Sequence, residues 1–423
     1  MLEKPKLFIE AKEFWLVVLL FGVLLACRLG WLYHSYREFV QKPFYFTTVE
    51  VLQQYKKIKN DRSYTTLRLY SADLDLNFFT LSYSQESLRG KSLRLKLYPN
   101  EQIGFGEYLS TAFIRSDTLT IKPKASSSHH YWAESILQQH QSPIIGEFYQ
   151  AIFLAIPLGK RLREKISALG VSHLVALSGF HLGILWTVLF LFFRMLYRPL
   201  QQRYFPYRFD LIDVGFLVLL ILGYYVYFVE APASLLRSYV MMILGWVVLI
   251  LGIELLRFDF LLVTAMVILL IFPKLLLSLA FWFSVMGVFY IFLLLYYFQG
   301  VSKIKMSILI SFGLFILMMP LVHLFFPLTT PTQLLSPLLS LLFSLFYPLS
   351  LGLHLVGWGD LLDPLLLKLF ALSYPAIEVK LSYAFGIGYL ILSIGAIYWR
   401  RIFYLLFLLA FGFVGWIFIM VML

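Results

Sequence analysis

From about position 171 to the end, apolar runs near or beyond 20 residues follow one another with only short polar breaks. Each is long enough to cross roughly 30 Å of hydrocarbon as a helix, the element that satisfies its own backbone hydrogen bonds in lipid. The chain is therefore expected to be a polytopic α-helical membrane protein. Composition agrees, with 60% of its 423 residues hydrophobic and 14% charged, where soluble domains carry about a quarter charged residues. A soluble globular protein is excluded. Expected spans fall at 14–32, 174–196, 211–229, 232–252, 259–272, 275–298, 306–326, 333–356, 383–399 and 402–422, about ten in all.

The first run, Phe14 to Leu32, follows Lys4, Lys6 and Lys12 and has no small-residue cleavage site after it, the pattern of a signal anchor. Lysines before a span mark the cytoplasmic side, so the N-terminus (1–35, the anchor) is expected inside and the residues beyond it on the opposite face, in a bacterium the periplasm or cell exterior. The loops holding Arg198, Arg203 and Arg208, and Lys303 with Lys305, fit the same rule, whereas Arg400 and Arg401 break the alternation. One segment, 259–272 or the region 333–368, is accordingly expected to be re-entrant or to lie flat. The single cysteine, Cys27, rules out an intrachain disulfide and any CxxC pair. A net charge of +12 fits cytoplasmic loops and would also attract a polyanion.

Between 36 and 124 the long apolar runs vanish and alternation with period two replaces them. Ser92-Leu-Arg-Leu-Lys-Leu-Tyr98 is the clearest strand, with Leu93, Leu95 and Leu97 on one face and Arg94, Lys96 and Tyr98 on the other. Similar alternation at 44–52, 64–70, 78–84 and 117–122, with turn signals at Asn60-Asp61, Arg89-Gly90 and Pro99-Asn100, suits a small extracytoplasmic β-barrel of OB-like size. The segment has 14 Lys and Arg against 9 acids. That balance fits an ordinary solvated surface or an electrostatic guide for a nucleic-acid backbone.

Residues 125–170 read as a linker, Ser126-Ser-Ser128, followed by helices expected at the membrane interface: Ile144 to Leu158, interrupted by Glu147 and Pro157, and a cationic amphipathic stretch with Lys160, Arg161, Arg163 and Lys165. The polytopic region then occupies 171–423.

Its most unusual stretch is GVSHLVALSGFHLG (170–183). His173 and His181 are eight apart, so a continuous helix would stack them, but Ser178-Gly179 interrupts it. Irregular backbone at membrane depth is tolerated beside protein or a water-filled cavity. Intramembrane histidines mark functional sites or serve as satisfied packing groups, and both readings stand here. About 12 Å apart along a helix, the two cannot share one metal ion without further ligands.

A second stretch, Phe228-Val-Glu-Ala-Pro-Ala-Ser-Leu-Leu-Arg-Ser238, sets Glu230, Ser234, Arg237 and Ser238 at a proline junction, as a polar lining or as a turn with a snorkelling arginine. Serines with bulky aromatics recur in Leu277 to Ser284, and Pro331 to Pro337 predicts a discontinuous or kinked helix. Gly90-Lys91-Ser92 resembles the tail of a phosphate-binding loop, but Gln85 stands where its first glycine would be. No HExxH or GxSxG occurs. No ATPase, nuclease, metal site or cofactor is expected in this chain.

These residues carry a likeness. GVSHLVALSGFHLG resembles the signature of the ComEC family of competence DNA-translocation channels; APASLLRSYVMM (231–242) is similar to that family's proline–arginine segment, and PKLLLSLAFWFSVMGV (273–288) to a later span. The order of anchor, OB-like domain, amphipathic region and polytopic domain agrees over nearly the whole chain. Two departures stand out. Trp282 replaces a side chain that is usually polar, and the chain stops at Leu423 without the metallo-β-lactamase-like domain of many members, so a short form is expected.

The resemblance implies conduction of single-stranded DNA across the bacterial inner membrane during natural transformation. The expected path residues are His173, Ser178, Gly179, His181, Glu230, Ser234, Arg237 and Ser238. The expected DNA-receiving residues are Arg68, Arg94, Lys96 and Tyr98, with Tyr64 a further stacking candidate. Implied partners are the strand itself, membrane lipids, a periplasmic DNA receptor, a separate nuclease, and a cytosolic ATPase or single-strand-binding protein. The rival classes are a transporter or intramembrane enzyme using the paired histidines for a small solute or lipid, and a scaffold of the uptake machine.

Overall fold

The structure, a computed structural model, describes residues 8, 10–59, 62–82, 88, 91–122, 128–252, 257–372 and 375–422, the side chains of 56–59, 62–64, 122, 128 and 233 excepted. Its contacts divide it into two units, one comprising 8–131 with 263–281, the other 132–262 with 282–423.

In the first unit, helix α1 (Ala11–Gln41) is unbroken for 31 residues, about 46 Å at 1.5 Å per residue. Its first half carries apolar side chains all round, Trp15, Leu16, Leu19, Leu20 and Val23 being exposed, as a lipid-facing helix does. Its last turns belong to the β-domain: Leu32 and Phe39 are buried, Tyr36 Oη donates to the Ile103 carbonyl at 2.7 Å, and Phe39 stacks on Tyr45. The division expected at 35/36 thus falls inside a continuous helix, because apolar residues pass from facing lipid to facing the domain core without a break in helical periodicity.

Six strands follow: β1 (Tyr45–Lys59), β2 (Arg62–Ser71), β3 (Leu76–Ser82), β4 (Ser92–Tyr98) and, after the short helix α2 (Phe105–Leu109), β5 (Ala112–Phe113) and β6 (Arg115–Lys122). Spatial order is β5-β3-β2-β1-β4-β6. Alternation acts as expected, with Leu93, Leu95 and Leu97 buried beside Val49, Leu67, Leu69 and Phe78 while Arg94 is exposed. β5 runs parallel to β3 and β6 antiparallel to β4, and the two are consecutive pieces of one segment split at Ile114, whose N–H donates to the Phe79 carbonyl at 2.9 Å. One segment therefore reaches both ends of the sheet and curls it. β1 and β2 extend further than their apolar alternation, since ladder pairing continues through polar residues up to Lys59 and Arg62. The turn signals Asn60-Asp61 and Arg89-Gly90 lie outside the described residues. A 3-10 turn, Pro273–Leu277, completes this unit, with Lys274 Nζ 2.7 Å from Asp75 Oδ2.

The second unit holds α3 (Ser128–Gln138), α4 (Pro143–Leu154), α5 (Lys160–Ala168), α6 (Ser172–Val175), α7 (Gly179–Tyr204), α8 (Asp210–Phe228), α9 (Ala233–Ile250), α10 (Phe258–Ile271), α11 (Leu279–Tyr297), α12 (Lys303–His323), α13 (Ser336–Val356), α14 (Asp363–Ala371), α15 (Tyr383–Gly395) and α16 (Arg400–Met422), of which α3, α10 and α11 straddle the division. Strands β7 (Leu328–Thr329) and β8 (Ile377–Glu378) pair antiparallel.

Among the described residues, seven helices are long and apolar enough to cross a membrane: α1, α7, α8, α11, α12, α13 with the 3-10 turn before it, and α16. The remaining runs expected to span coincide with α9, α10 and α15, which are shorter. Tyrosines knit α11, α12, α15 and α16 together: buried Tyr290 Oη lies 2.9 Å from Ser393 Oγ, buried Tyr389 Oη donates to the Leu317 carbonyl at 2.9 Å, and half-buried Tyr297 stacks on Phe403.

The stretch 144–158, expected at the interface, forms α4 and the turn after it. α4 is buried almost throughout, with Ile145, Tyr149 and Ile152 fully enclosed. Gln150 donates to the Ala133 carbonyl at 2.8 Å, and half-buried Glu147 lies against Gly159 at the start of α5.

Candidate functional site

The chain breaks between α6 and α7. α6 is a single turn, Ala176 returns to extended backbone, and Ser178 caps α7. The two histidines consequently sit on different helices and face different partners. His173 Nε2 is 3.3 Å from Ser340 Oγ of α13. His181 Nδ1 is 3.3 Å from both the amide and the hydroxyl of Ser178, an arrangement that closes the first turn of α7. Fully buried, the His181 ring meets the edges of Phe343 and Tyr347 at 5.1 and 4.8 Å, and its Nε2 has no hydrogen-bond partner. An orphaned buried nitrogen costs about 1–3 kcal/mol, so the site holds a polar atom that the surrounding rings leave unsatisfied.

α9 covers the other side of the break. Ser234 Oγ donates to the Leu177 carbonyl at 2.8 Å, and Ser238 Oγ to the Ser234 carbonyl at 2.9 Å. A Cβ at Gly179 would lie 3.0 Å from Ser238 Oγ and 3.2 Å from its Cβ, so glycine is what permits this approach. Arg237, one residue away, is buried at 8% exposure. Glu230 is exposed in the α8–α9 turn, where it and Ala231 both take left-handed backbone, φ 64° and 47°, just before Pro232 caps α9. Such φ values are unfavourable for residues with a Cβ and hold α9 at a fixed entry angle.

From the third side the discontinuous segment before α13 clasps the turn after α5. The hydroxyls of Thr330 and Thr332 donate to the Ala168 carbonyl, and Ser336 Oγ to that of Gly170 at 3.0 Å. Gly170 has φ +68°, with Gln333 close against it.

The break, its histidine and the serines that close over it all lie within residues 158–422, which match the family model described as Competence protein. The chain belongs to this family. No curated protein and no solved structure matches it. Family membership and the apolar helices together make it a multi-pass membrane protein of competence and transformation.

Outside the family-matched region, the structure gathers three of the four expected DNA-receiving residues. Lys96 Nζ lies 4.3 Å from the ring centre of Phe44, 5.9 Å from that of Phe46 and 5.2 Å from that of Tyr98, whose hydroxyl donates to Asp117 at 2.8 Å. Arg94 is exposed one strand position pair away, opposite Thr48. Phe44 and Phe46, which sequence reasoning passed over, are exposed. Arg68 sits elsewhere on the sheet, in register with Gln53 and Phe79, and its Nε is buried without a partner. The Tyr64 side chain lies outside the described residues.

Sequence reasoning also missed a buried cluster of His140, His354 and Asp363. His140 is 214 residues from one partner and 223 from the other, so no local spacing announces it. Among the described residues no group of three His, Cys, Asp or Glu is placed to hold a metal ion.

Proposed function

We propose that the protein conducts single-stranded DNA across the bacterial inner membrane during transformation, with the α6–α7 break as the gate of a hydrated path. The observation that carries this reading is the break itself. It is an interrupted backbone within the matched region, flanked by serines and a buried arginine on α9 and closed by a histidine wedged between two aromatic rings on α13. Each phosphate of a strand is a full charge, and placing one ion in a low-dielectric medium costs many kcal/mol, so passage demands a polar lining. His173, Ser178, His181, Glu230, Ser234, Arg237 and Ser238 supply it, with Gly179 allowing the close approach. The path is shut at His181 in this state. Movement of Phe343 and Tyr347 away from the imidazole would free its Nε2 for water or phosphate.

In this reading about ten helices span the membrane, the three shorter ones included. The N-terminus is cytoplasmic, and the curled sheet is an OB-like domain in the periplasm that takes the strand from a receptor. A separate nuclease, and a cytosolic ATPase or single-strand-binding protein, act before and after a chain that is a conduit rather than an enzyme.

Cells carrying Arg237→Leu or His181→Leu at normal protein abundance are expected to transform about tenfold less often or worse, equivalent to about 1.4 kcal/mol of added barrier. Unchanged frequency would remove those residues from the path. For the receiving domain, Phe46→Ala in the full-length protein is expected to weaken single-strand binding by about 1–3 kcal/mol, the worth of one stacked base. Fluorescence anisotropy on nanodisc-embedded protein measures it, and equal affinity of the two forms would make the aromatic patch a docking surface instead.

A further inference from the structure

The cluster of His140, His354 and Asp363 is tied together more tightly than packing requires. His140, in the turn between α3 and α4, has Nδ1 2.9 and 3.0 Å from the two Asp363 oxygens and Nε2 3.0 Å from His354 Nε2. His354 Nδ1 lies 2.7 Å from the Ser350 carbonyl. Each of these contacts needs one hydrogen between its two atoms. The carbonyl only accepts, so His354 Nδ1 carries one; one lies between the two Nε2 atoms; one lies between Asp363 and His140 Nδ1. A carboxylate with two neutral imidazoles has only two to give. Satisfying all three contacts therefore takes one more proton.

We propose that Asp363, His140 and His354 form a proton-binding site whose single extra proton fastens the α3–α4 turn to α13 and α14. The surroundings are built for it. The His140 side chain is fully enclosed and that of Asp363 is 12% exposed. Tyr149 of α4 stacks on His140 at 4.8 Å and lies 4.3 Å from the His354 ring. Burial, and then the Asp363 charge, push the Tyr149 phenol above its usual range, so it stays protonated. Its hydroxyl is buried without a partner, a spare polar group beside the cluster. Gln139 clamps the edges, donating to the His354 carbonyl at 3.3 Å and accepting from the Gly359 amide at 3.0 Å. A Cβ at Gly359 would fall 2.8 Å from His354 Nε2, so only glycine fits there.

The titratable groups facing His140 are Tyr149 from α4, His354 from α13 and Asp363 from α14. Without the extra proton one contact sets lone pair against lone pair and the turn is released. A metal ion is the competing occupant, but only two nitrogens converge, whereas a structural zinc takes four ligands.

Nitrogen-15 NMR of the full-length, histidine-labelled protein in liposomes tests this, because the shift of each ring nitrogen reports whether it bears a hydrogen. His140→Gln and His354→Gln assign the signals. With the cluster closed as it stands here, the two rings are expected to carry three hydrogens between them. In Asp363→Asn, whose amide can donate to a bare Nδ1, they are expected to carry two. Two hydrogens in the wild-type rings at every pH from about 5 to about 9, with a carbon-13 shift showing the Asp363 carboxylate unprotonated, would overturn the proposal. So would signals that change on adding a chelator, which would assign the pair to a metal. Should one assignment variant fail to accumulate, the other identifies one ring, and the ring whose signals move with it is its partner across the 3.0 Å contact.

Discussion

Asp363→Ala is expected to lower the stability of the purified protein by about 1–3 kcal/mol, the usual cost of leaving a buried hydrogen-bonding group without its partner. The reason lies in what stays behind. His140 is fully enclosed, and Asp363 supplies both oxygens that face its Nδ1. Alanine would strand that nitrogen, and with it the contact to His354 on α13. The triple variant His140→Phe with His354→Phe and Asp363→Leu is expected to recover most of the loss, since a well-packed apolar replacement of a whole buried group is often near neutral. Thermal unfolding of the three proteins checks both statements. A single variant as stable as the wild type would mean that the pair contributes nothing to holding α14 against the α3–α4 turn.

Gly179→Val is expected to reduce transformation by about a hundredfold, the effect of roughly 2.7 kcal/mol on the rate-limiting step. Even a methyl group there meets the Ser238 side chain at 3.0 and 3.2 Å. Valine adds two more carbons, and overpacking of this kind costs about 1–3 kcal/mol unless the helices separate. Either result displaces α9 from the break. Gly183→Val, four residues along the same helix where nothing lies within 4 Å of the added carbon, is the control and is expected to transform normally. Ser238→Gly, which removes the obstructing atoms, is expected to restore part of the function to Gly179→Val. Equal loss at 179 and 183 would trace the defect to valine in a helix rather than to the α7–α9 approach.

How much of this was legible depends on the range of the interaction concerned. The α6–α7 break could be read directly, because Ser178-Gly179 interrupts an apolar run within a few residues of two histidines. That Ser234 reaches the Leu177 carbonyl, and that Ser238 sits against Gly179, could not: those contacts form only when α9 returns alongside α7. In the β-domain, Arg94, Lys96 and Tyr98 were recognisable by alternation along one strand. Arg68 was expected with them and lies apart, because β1 pairs β4 near its start and β2 along its length, with a register shift between Val51 and Gln53. In 144–158, interrupted by Glu147 and Pro157, only the fold supplies the neighbours of the polar groups, Gly159 beside Glu147 and the Ala133 carbonyl at Gln150.

The sequence by itself determined that the chain resides in a membrane, where most of its apolar helices begin and end to within a few residues, and which stretch forms strands, while α1 and α7 run eight or nine residues past their apolar runs. Those properties follow from transfer free energy and side-chain periodicity, which neighbouring residues settle among themselves. Only the tertiary structure decided which polar groups meet: His181 with Phe343 and Tyr347, Lys96 with Phe44, His140 with His354 and Asp363. A buried polar atom must find a partner wherever the chain happens to return, and that return is set by the packing of whole helices rather than by anything adjacent in sequence.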